Sequence, residues 1–508
     1  MVLPFLRYLI HFSNILFIGC YNILPPAINL VFVTAYIIFF KDDFKKITLP
    51  SKKILGFFLL AFVSFSLIKF PPLFIKGPGS IENFDYYKYN YLLDQIFKNF
   101  PLTQIYIPDV RHFVSYDRTF AARVIMDSGR NYLLSYYYAI YLPPVLFGWI
   151  LQALRFNINV LHLQIFFNFW AVLTISAAMT NIYAVKKQKI FVFLFFIFFI
   201  GGLDGLMVLL HPEIPADLFL DIQDGGQSGF FIPCRIQDLS GSLQTSPGHL
   251  MSALVALFGV ILLDNNPDKP TRNFLVAGIA LFVFSTSLLA FTSFCLFVLA
   301  MYCRKVFFPE GIKNAGFVKR IKKAAGTIKK DEAALLGLVL VFMFVFYSEG
   351  RQSSLIKTFV DIEKLKDYGV WKFMLFFLQE LTPFVLLAAV LKIRDYRYYL
   401  CLLYIVMISL FGSRDLILTS PILMIAYMLY RSAMAFDFKI KSHTAVLLLI
   451  MTLYSPSLIS NLHVSYRKQL GYRSDMTASD MIGFDPELPY QFKALHTDVY
   501  RAFSRNVP

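Results

Sequence analysis

A carboxylate stands inside the apolar run "FFIGGLDGLMVLL" (198–210): Asp204, flanked by Gly201, Gly202 and Gly205, with His211, Glu213 and Asp217 close behind. A second acidic pair, Glu82 and Asp85, opens "ENFDYYKYNYLLDQIFKNF" (82–100). Four arginines follow it, Arg111, Arg118, Arg123 and Arg130, and a later polar stretch supplies Arg235 and His249. These types suit specific tasks. A carboxylate at a polar surface can act as a general base, and Asp85 is the first candidate, with Glu82 beside it. Arginine offers a planar fork that grips phosphate bidentately, so Arg111, Arg118, Arg123, Arg130 and Arg235 are candidate phosphate binders, with His211, Glu213 and His249 on the rim of the same site. Acids with a histidine can hold a divalent cation such as magnesium or manganese, but HExxH is absent and no metal spacing stands out, so the metal stays open. Each group also has a plainer role. Glu82 and Asp85 would cap a helix, the arginines would face solvent or lipid headgroups, and Asp204 would tie two helices together.

These residues need a scaffold, and composition says what kind. Of 508 residues, 57% are hydrophobic, 17% aromatic and 16% charged. A soluble domain carries about 25% charged residues. The deficit extends over most of the chain, which predicts an all-α polytopic membrane protein. The net charge of +16 does not indicate nucleic acid, because Lys and Arg fall in short runs between apolar segments. Five cysteines, Cys20, Cys234, Cys295, Cys303 and Cys401, show neither CxxC nor another metal or disulfide spacing. The first apolar segment has no small-residue cleavage motif behind it and is expected to be a retained span.

Candidate spans are 5–21, 24–40, 54–70, 133–156, 159–184, 190–210, 249–264, 272–287, 288–303, 334–348, 371–392, 400–412, 416–430 and 443–460. The basic runs at 41–53, 186–189, 319–330, 392–397 and 438–441 are expected on the cytoplasmic side. Alternation around them makes 133–156, which contains Pro143 and Pro144, a bent, re-entrant or interfacial piece. It also requires 272–303 to double back at Ser285, Thr286 and Ser287, a turn tolerated at membrane depth only against protein or a wet cavity. The result is about 13 crossings. The polar stretches 71–132, 211–248 and 349–370, and a tail at 461–508, all fall on the outer face of one bundle spanning 1–460. Within 82–100, Phe84, Tyr87, Tyr91 and Ile96 have helical spacing, as in an amphipathic helix lying at the interface. Glu380, before Pro383, is a second acid in an apolar run.

The arrangement resembles the GT-C class of integral-membrane glycosyltransferases. The resemblance rests on the long outer loop after an early span with an acid in "ENFDYYKYN", the bent "YYYAIYLPPVLFGWILQAL" after it, and the pair "GGLDGL" and "SPGHLMSALVALFGVIL", and it covers roughly residues 54–305. It implies inverting transfer of a sugar from a polyprenyl-phosphate donor to a glycan, lipid or protein acceptor of the cell envelope. Asp85 would then deprotonate the acceptor, arginines would hold the donor phosphate, and Asp204 would line the cavity. The location implied is a bacterial cytoplasmic membrane, with the site facing outward among membrane lipids. Two other readings stay open: an O-antigen polymerase or ligase, and a transporter or lipid flippase using Asp204 and Glu380 as relay groups.

Overall fold

The computed structural model describes residues 3–21, 24–44, 84–102, 104–107, 130–133, 138–185, 190–200, 247–265, 270–307, 381–411 and 420–450, with isolated positions at 52, 56, 337 and 340. These residues are helical apart from one short ribbon. In chain order the elements are α1 (Leu3–Gly19), α2 (Pro26–Phe40), α3 (Phe84–Asn99), β1 (Gln104–Ile107), β2 (Arg130–Leu133), α4 (Leu142–Ala153), α5 (Val160–Val185) and α6 (Ile190–Phe199). They continue with α7 (Pro247–Asn265), α8 (Pro270–Thr286), α9 (Leu288–Phe307), α10 (Thr382–Val390), α11 (Tyr396–Phe411) and α12 (Pro421–Ala435). A last helix, α13, spans Lys441–Ile450. Two helices, α5 and α7, contain stretches long and apolar enough to cross a membrane, His162–Ile182 and Pro247–Asp264.

Proline sets the starts. Pro26, Pro143 with Pro144, Pro383 and Pro421 sit in the first turns of α2, α4, α10 and α12, and Pro247 and Pro270 are the first residues of α7 and α8. In a first turn the missing N–H would have had no helical partner, and the ring presets a helical φ. The bent or re-entrant piece expected at 133–156 narrows to α4, which Pro143 and Pro144 open and whose 12 residues are about 18 Å long. That is too short to cross a bilayer. The helix ends at Arg155, which adopts φ 72°, and the chain then doubles back into α5. Gly148 lets the two helices meet, since a Cβ there would lie 2.5 Å from Leu163 Cδ2. Residues 142–153 are therefore a half-length helix folded onto α5.

The expected turn in 272–303 is present. Helix α8 stops at Thr286, α9 starts at Leu288, and Ser287 alone lies between them. The two helices run back beside each other, because a Cβ on Gly259 of α7 would touch both Ile279 of α8 and Phe294 of α9 at 3.1 Å. Helix α7 is the hub, packed against α5, α8, α9 and α12. Helix α1 packs on α2, α4, α5 and α8.

Side-chain contacts fix how the ends align. At one pole, Arg7 meets Asp43 at 3.1 Å, and Arg397 joins Asp264 at 2.6 Å. The links leading to the basic runs at 41–53, 186–189 and 392–397 leave from this end. Halfway up, Asn14 of α1 donates to the carbonyl of Gly278 in α8, and to the hydroxyl of Tyr36 in α2, both at 2.8 Å. His11 Nδ1 also lies 2.8 Å from that hydroxyl. At the opposite pole, Phe17 of α1 packs on Tyr138, and Ala139 N–H donates to the carbonyl of Ser285.

The core is mostly apolar, yet large apolar side chains also face outward and a set of polar ones is buried. Exposed positions include Leu30, Val31 and Ile38 of α2, Ile165 and Phe169 of α5, Leu299 of α9 and Leu403 of α11. Ser13, Asn14, Gln164, Asn168, Thr174 and Ser176 are buried. The segment 71–132 contributes α3 and the ribbon. Helix α3 buries Leu92, Leu93 and Ile96 and packs on α4 and α5. Strands β1 and β2 pair antiparallel, with Gln104 opposite Leu133 and Ile107 opposite Arg130.

Candidate functional site

At the pole opposite the basic links, three pieces of chain converge: the first turn of α7, the α8–α9 turn, and residues 138–141 leading into α4. His249 stands in that first turn of α7 and is buried. Its Nδ1 lies 2.6 Å from Ser287 Oγ. Ser287 caps α9, accepting the Ala290 N–H at 3.1 Å. A serine at this position satisfies a donor that the helix cannot. The Ser287 hydroxyl can either donate its proton to Nδ1 or accept one from it, so it orients the imidazole and is compatible with either tautomer.

One turn further along α7, Ser252 Oγ lies 2.6 Å from Thr286 Oγ1. Each hydroxyl also approaches a carbonyl of its own helix at 2.7 Å, Gly248 for Ser252 and Phe282 for Thr286. Two protons thus serve three short contacts, and the pair can reorient. Gly248 allows the close approach, since a Cβ there would come within 2.6 Å of Ile140 Cδ1. The cluster of His249, Ser252, Ser285, Thr286 and Ser287 contains hydroxyls and one imidazole, with no carboxylate, lysine or arginine among its members. It can exchange protons and hydrogen-bond an anionic or hydroxylated group. Among the described residues no group of three His, Cys, Asp or Glu is placed to hold a metal ion.

A second polar feature lies on α5. Gln164 and Asn168 are one turn apart, only 1% and 4% exposed, and among the described residues neither nitrogen nor oxygen of either amide has a hydrogen-bond partner. A buried polar group left unpaired costs about 1–3 kcal/mol. Ring contacts set the depth of these amides. Trp170 packs on Phe12, and Phe17 packs on Tyr138, so at about 1.5 Å per residue Gln164 is level with Tyr138 and the α8–α9 turn.

The basic pole holds a different cluster. Asp395 accepts bonds from Arg397 Nε at 3.0 Å and Nη2 at 3.1 Å, and from the Tyr427 hydroxyl at 2.7 Å. It also pairs with Arg431 at 2.8 Å and caps α11 by accepting the Arg397 N–H at 3.1 Å. Burial pushes the Asp395 carboxyl up, but the bonds from Arg397 and Tyr427 and the charges of Arg397 and Arg431 outweigh it, and its pKa lies below the usual carboxylate range. The group locks α7, α11 and α12 together and is charge-balanced, which marks it as a structural clamp.

Of the candidate catalytic, phosphate-binding and cavity-lining residues, His249 is the one whose side chain is among those described. Asp85 falls in the first turn of α3 and Arg130 opens β2, with only their backbone described. Glu82, Arg111, Arg118, Arg123, Asp204, His211, Glu213, Arg235 and Glu380 lie outside the described residues. Sequence reasoning placed Ser285, Thr286 and Ser287 at a turn but did not connect them to His249. It also passed over Gln164 and Asn168, although "QIFFN" in an apolar run, with amides four apart, was the available signal. The pairing of Arg397 with Asp264 left no sequence signal, because the two are 133 residues apart. No protein-family profile, curated protein or solved structure matches this chain.

Proposed function

We propose that this protein is a membrane glycosyltransferase that moves a sugar from a polyprenyl-phosphate donor to an envelope glycan, lipid or protein acceptor. The supporting observation is convergence at one pole. Helix α3 of the segment 71–132 packs on α4 and α5 there, and α7, which follows the segment 211–248, begins there beside the His249 cluster. Both segments carrying the candidate acids and arginines therefore join the bundle at the end opposite the basic links. Loops with excess Lys and Arg favour the cytoplasm, which turns the polar pole outward. The apolar exposed faces and buried polar residues suit helices surrounded by lipid. On this reading the bundle has about 13 crossings in a bacterial cytoplasmic membrane.

In the reaction, Asp85 takes the proton of the acceptor hydroxyl, whose oxygen attacks the anomeric carbon. The bond from that carbon to the phosphate oxygen breaks with inversion, and polyprenyl phosphate leaves as an anion. Arg111, Arg118, Arg123, Arg130 and Arg235 would stabilise the growing phosphate charge. His211, Glu213 and His249 would line the rim, and Asp204 the cavity wall. A divalent cation, magnesium or manganese, could share the phosphate with the arginines.

The test is incubation of purified protein in nanodiscs with radiolabelled polyprenyl-phosphate hexoses and an envelope extract as acceptor. The expected result is label in a new covalent product, lost by about 10²-fold or more in Asp85→Asn. An active Asp85→Asn protein removes Asp85 from the mechanism. Label carried across the bilayer of proteoliposomes with no product would instead establish a transporter.

A further inference from the structure

Gln164 and Asn168 have no role in the fold that their contacts reveal. Four amide heavy atoms are buried without partners on one face of α5, which continues through Ala171 and Ile175. They do not bond each other, although residues four apart on a helix are close enough for that. An apolar residue of the same shape would fill either position without the desolvation cost. Retaining both amides is accounted for if a ligand supplies the missing bonds.

The chemistry narrows the ligand. An amide presents a donor and an acceptor side by side and carries no charge. A phosphate accepts only and calls for cations. Adjacent sugar hydroxyls, each both donor and acceptor, complement an amide pair. The position agrees: Gln164 stands at the depth of the α8–α9 turn and Asn168 about one turn, ~6 Å, deeper, at the polar end of the bundle. We infer that Gln164 and Asn168 form a recognition element for the sugar head of the lipid-linked donor, hydrogen-bonding its hydroxyls while the phosphate is held elsewhere. This rests on the glycosyltransferase reading and assigns that site its sugar-selecting residues.

The experiment compares the wild type with Gln164→Met, Asn168→Leu and the double variant, all full length in nanodiscs. Two probes are titrated: a short polyprenyl-phosphate glucose and the same polyprenyl phosphate without sugar. Binding is followed by tryptophan fluorescence, since Trp170 lies two residues from Asn168. The wild type is expected to bind the sugar-bearing lipid more tightly. The double variant should lose tenfold or more of that preference, keep its affinity for the sugar-free lipid, and melt at the same or a higher temperature in the absence of ligand. A lower melting temperature, or failure to assemble, would show that the amides are structural and overturn the inference. So would an unchanged preference in the variants, or none in the wild type. Sugar transfer is scored separately. Transfer with an unchanged preference sinks the inference and leaves the glycosyltransferase reading standing. A preference lost in the variants, with no transfer by the wild type, does the reverse.

Discussion

Replacing Asp395 with alanine should destabilise the bundle by about 3–4 kcal/mol. Removing one member of a buried ion pair costs about 3–5 kcal/mol, because the other charge is left desolvated. Arg397, 8% exposed, loses two guanidinium bonds but keeps the Asp264 carboxylate at 2.6 Å, which draws the figure to the lower end of that range. Loss of the α11 cap adds about 1 kcal/mol. Asp395→Asn keeps one oxygen, enough for the α11 cap, but puts an amide nitrogen where the other oxygen accepts from Tyr427 and loses the charge, so at least half the effect is expected. The assay is reversible unfolding in mixed micelles by dodecyl sulfate titration, read by tryptophan fluorescence. The Asp395→Ala, Arg397→Met double variant should recover part of the loss, because no buried charge is then stranded. The pH dependence follows from the lowered pKa of Asp395. Its contribution is complete above the unfolded-state value, ordinarily 3.8, and fades as pH falls through the lower folded-state value. The difference between wild type and Asp395→Ala should thus be constant from about pH 5 to 8 and shrink below about pH 4. A difference under about 0.5 kcal/mol at neutral pH would mean the cluster behaves as an exposed ion pair, and the clamp argument would fail.

Two further outcomes test the frame around the site. Gly259→Val should destabilise by about 1–3 kcal/mol in the same titration, since even the Cβ would meet Ile279 and Phe294 at 3.1 Å; a neutral result would mean that α8 and α9 do not converge on α7 there. Ser240→Cys should react with a membrane-impermeant maleimide added to intact cells, and labelling confined to inverted vesicles would reverse the orientation.

Parts of this molecule are legible from local pattern. Among the described residues, the runs at 5–21, 24–40, 159–184, 249–264, 272–287 and 288–303 match α1, α2, α5, α7, α8 and α9 to within a few residues, because a helix buried in protein or lipid needs little beyond length and hydropathy. The turn at Ser285, Thr286 and Ser287 followed from charge bookkeeping at the two ends of 272–303, and the structure puts the break at Ser287. The prolines at α4 marked a short piece that does not cross, and the structure shows that they open it, since a first-turn ring removes only an N–H that has no helical partner.

The sequence by itself determined that the described part of the chain is mainly helical and rich in apolar segments, because those properties reside in neighbouring residues. Only the tertiary structure decided which polar residues meet. It put His249 on Ser287, Ser252 on Thr286, and Arg397 between Asp264 and Asp395, across separations of 38, 34 and 133 residues. It also left Gln164 and Asn168 buried without partners. A hydrogen bond depends on positions within a few tenths of an ångström, and helix packing sets those positions through contacts among side chains far apart in the chain.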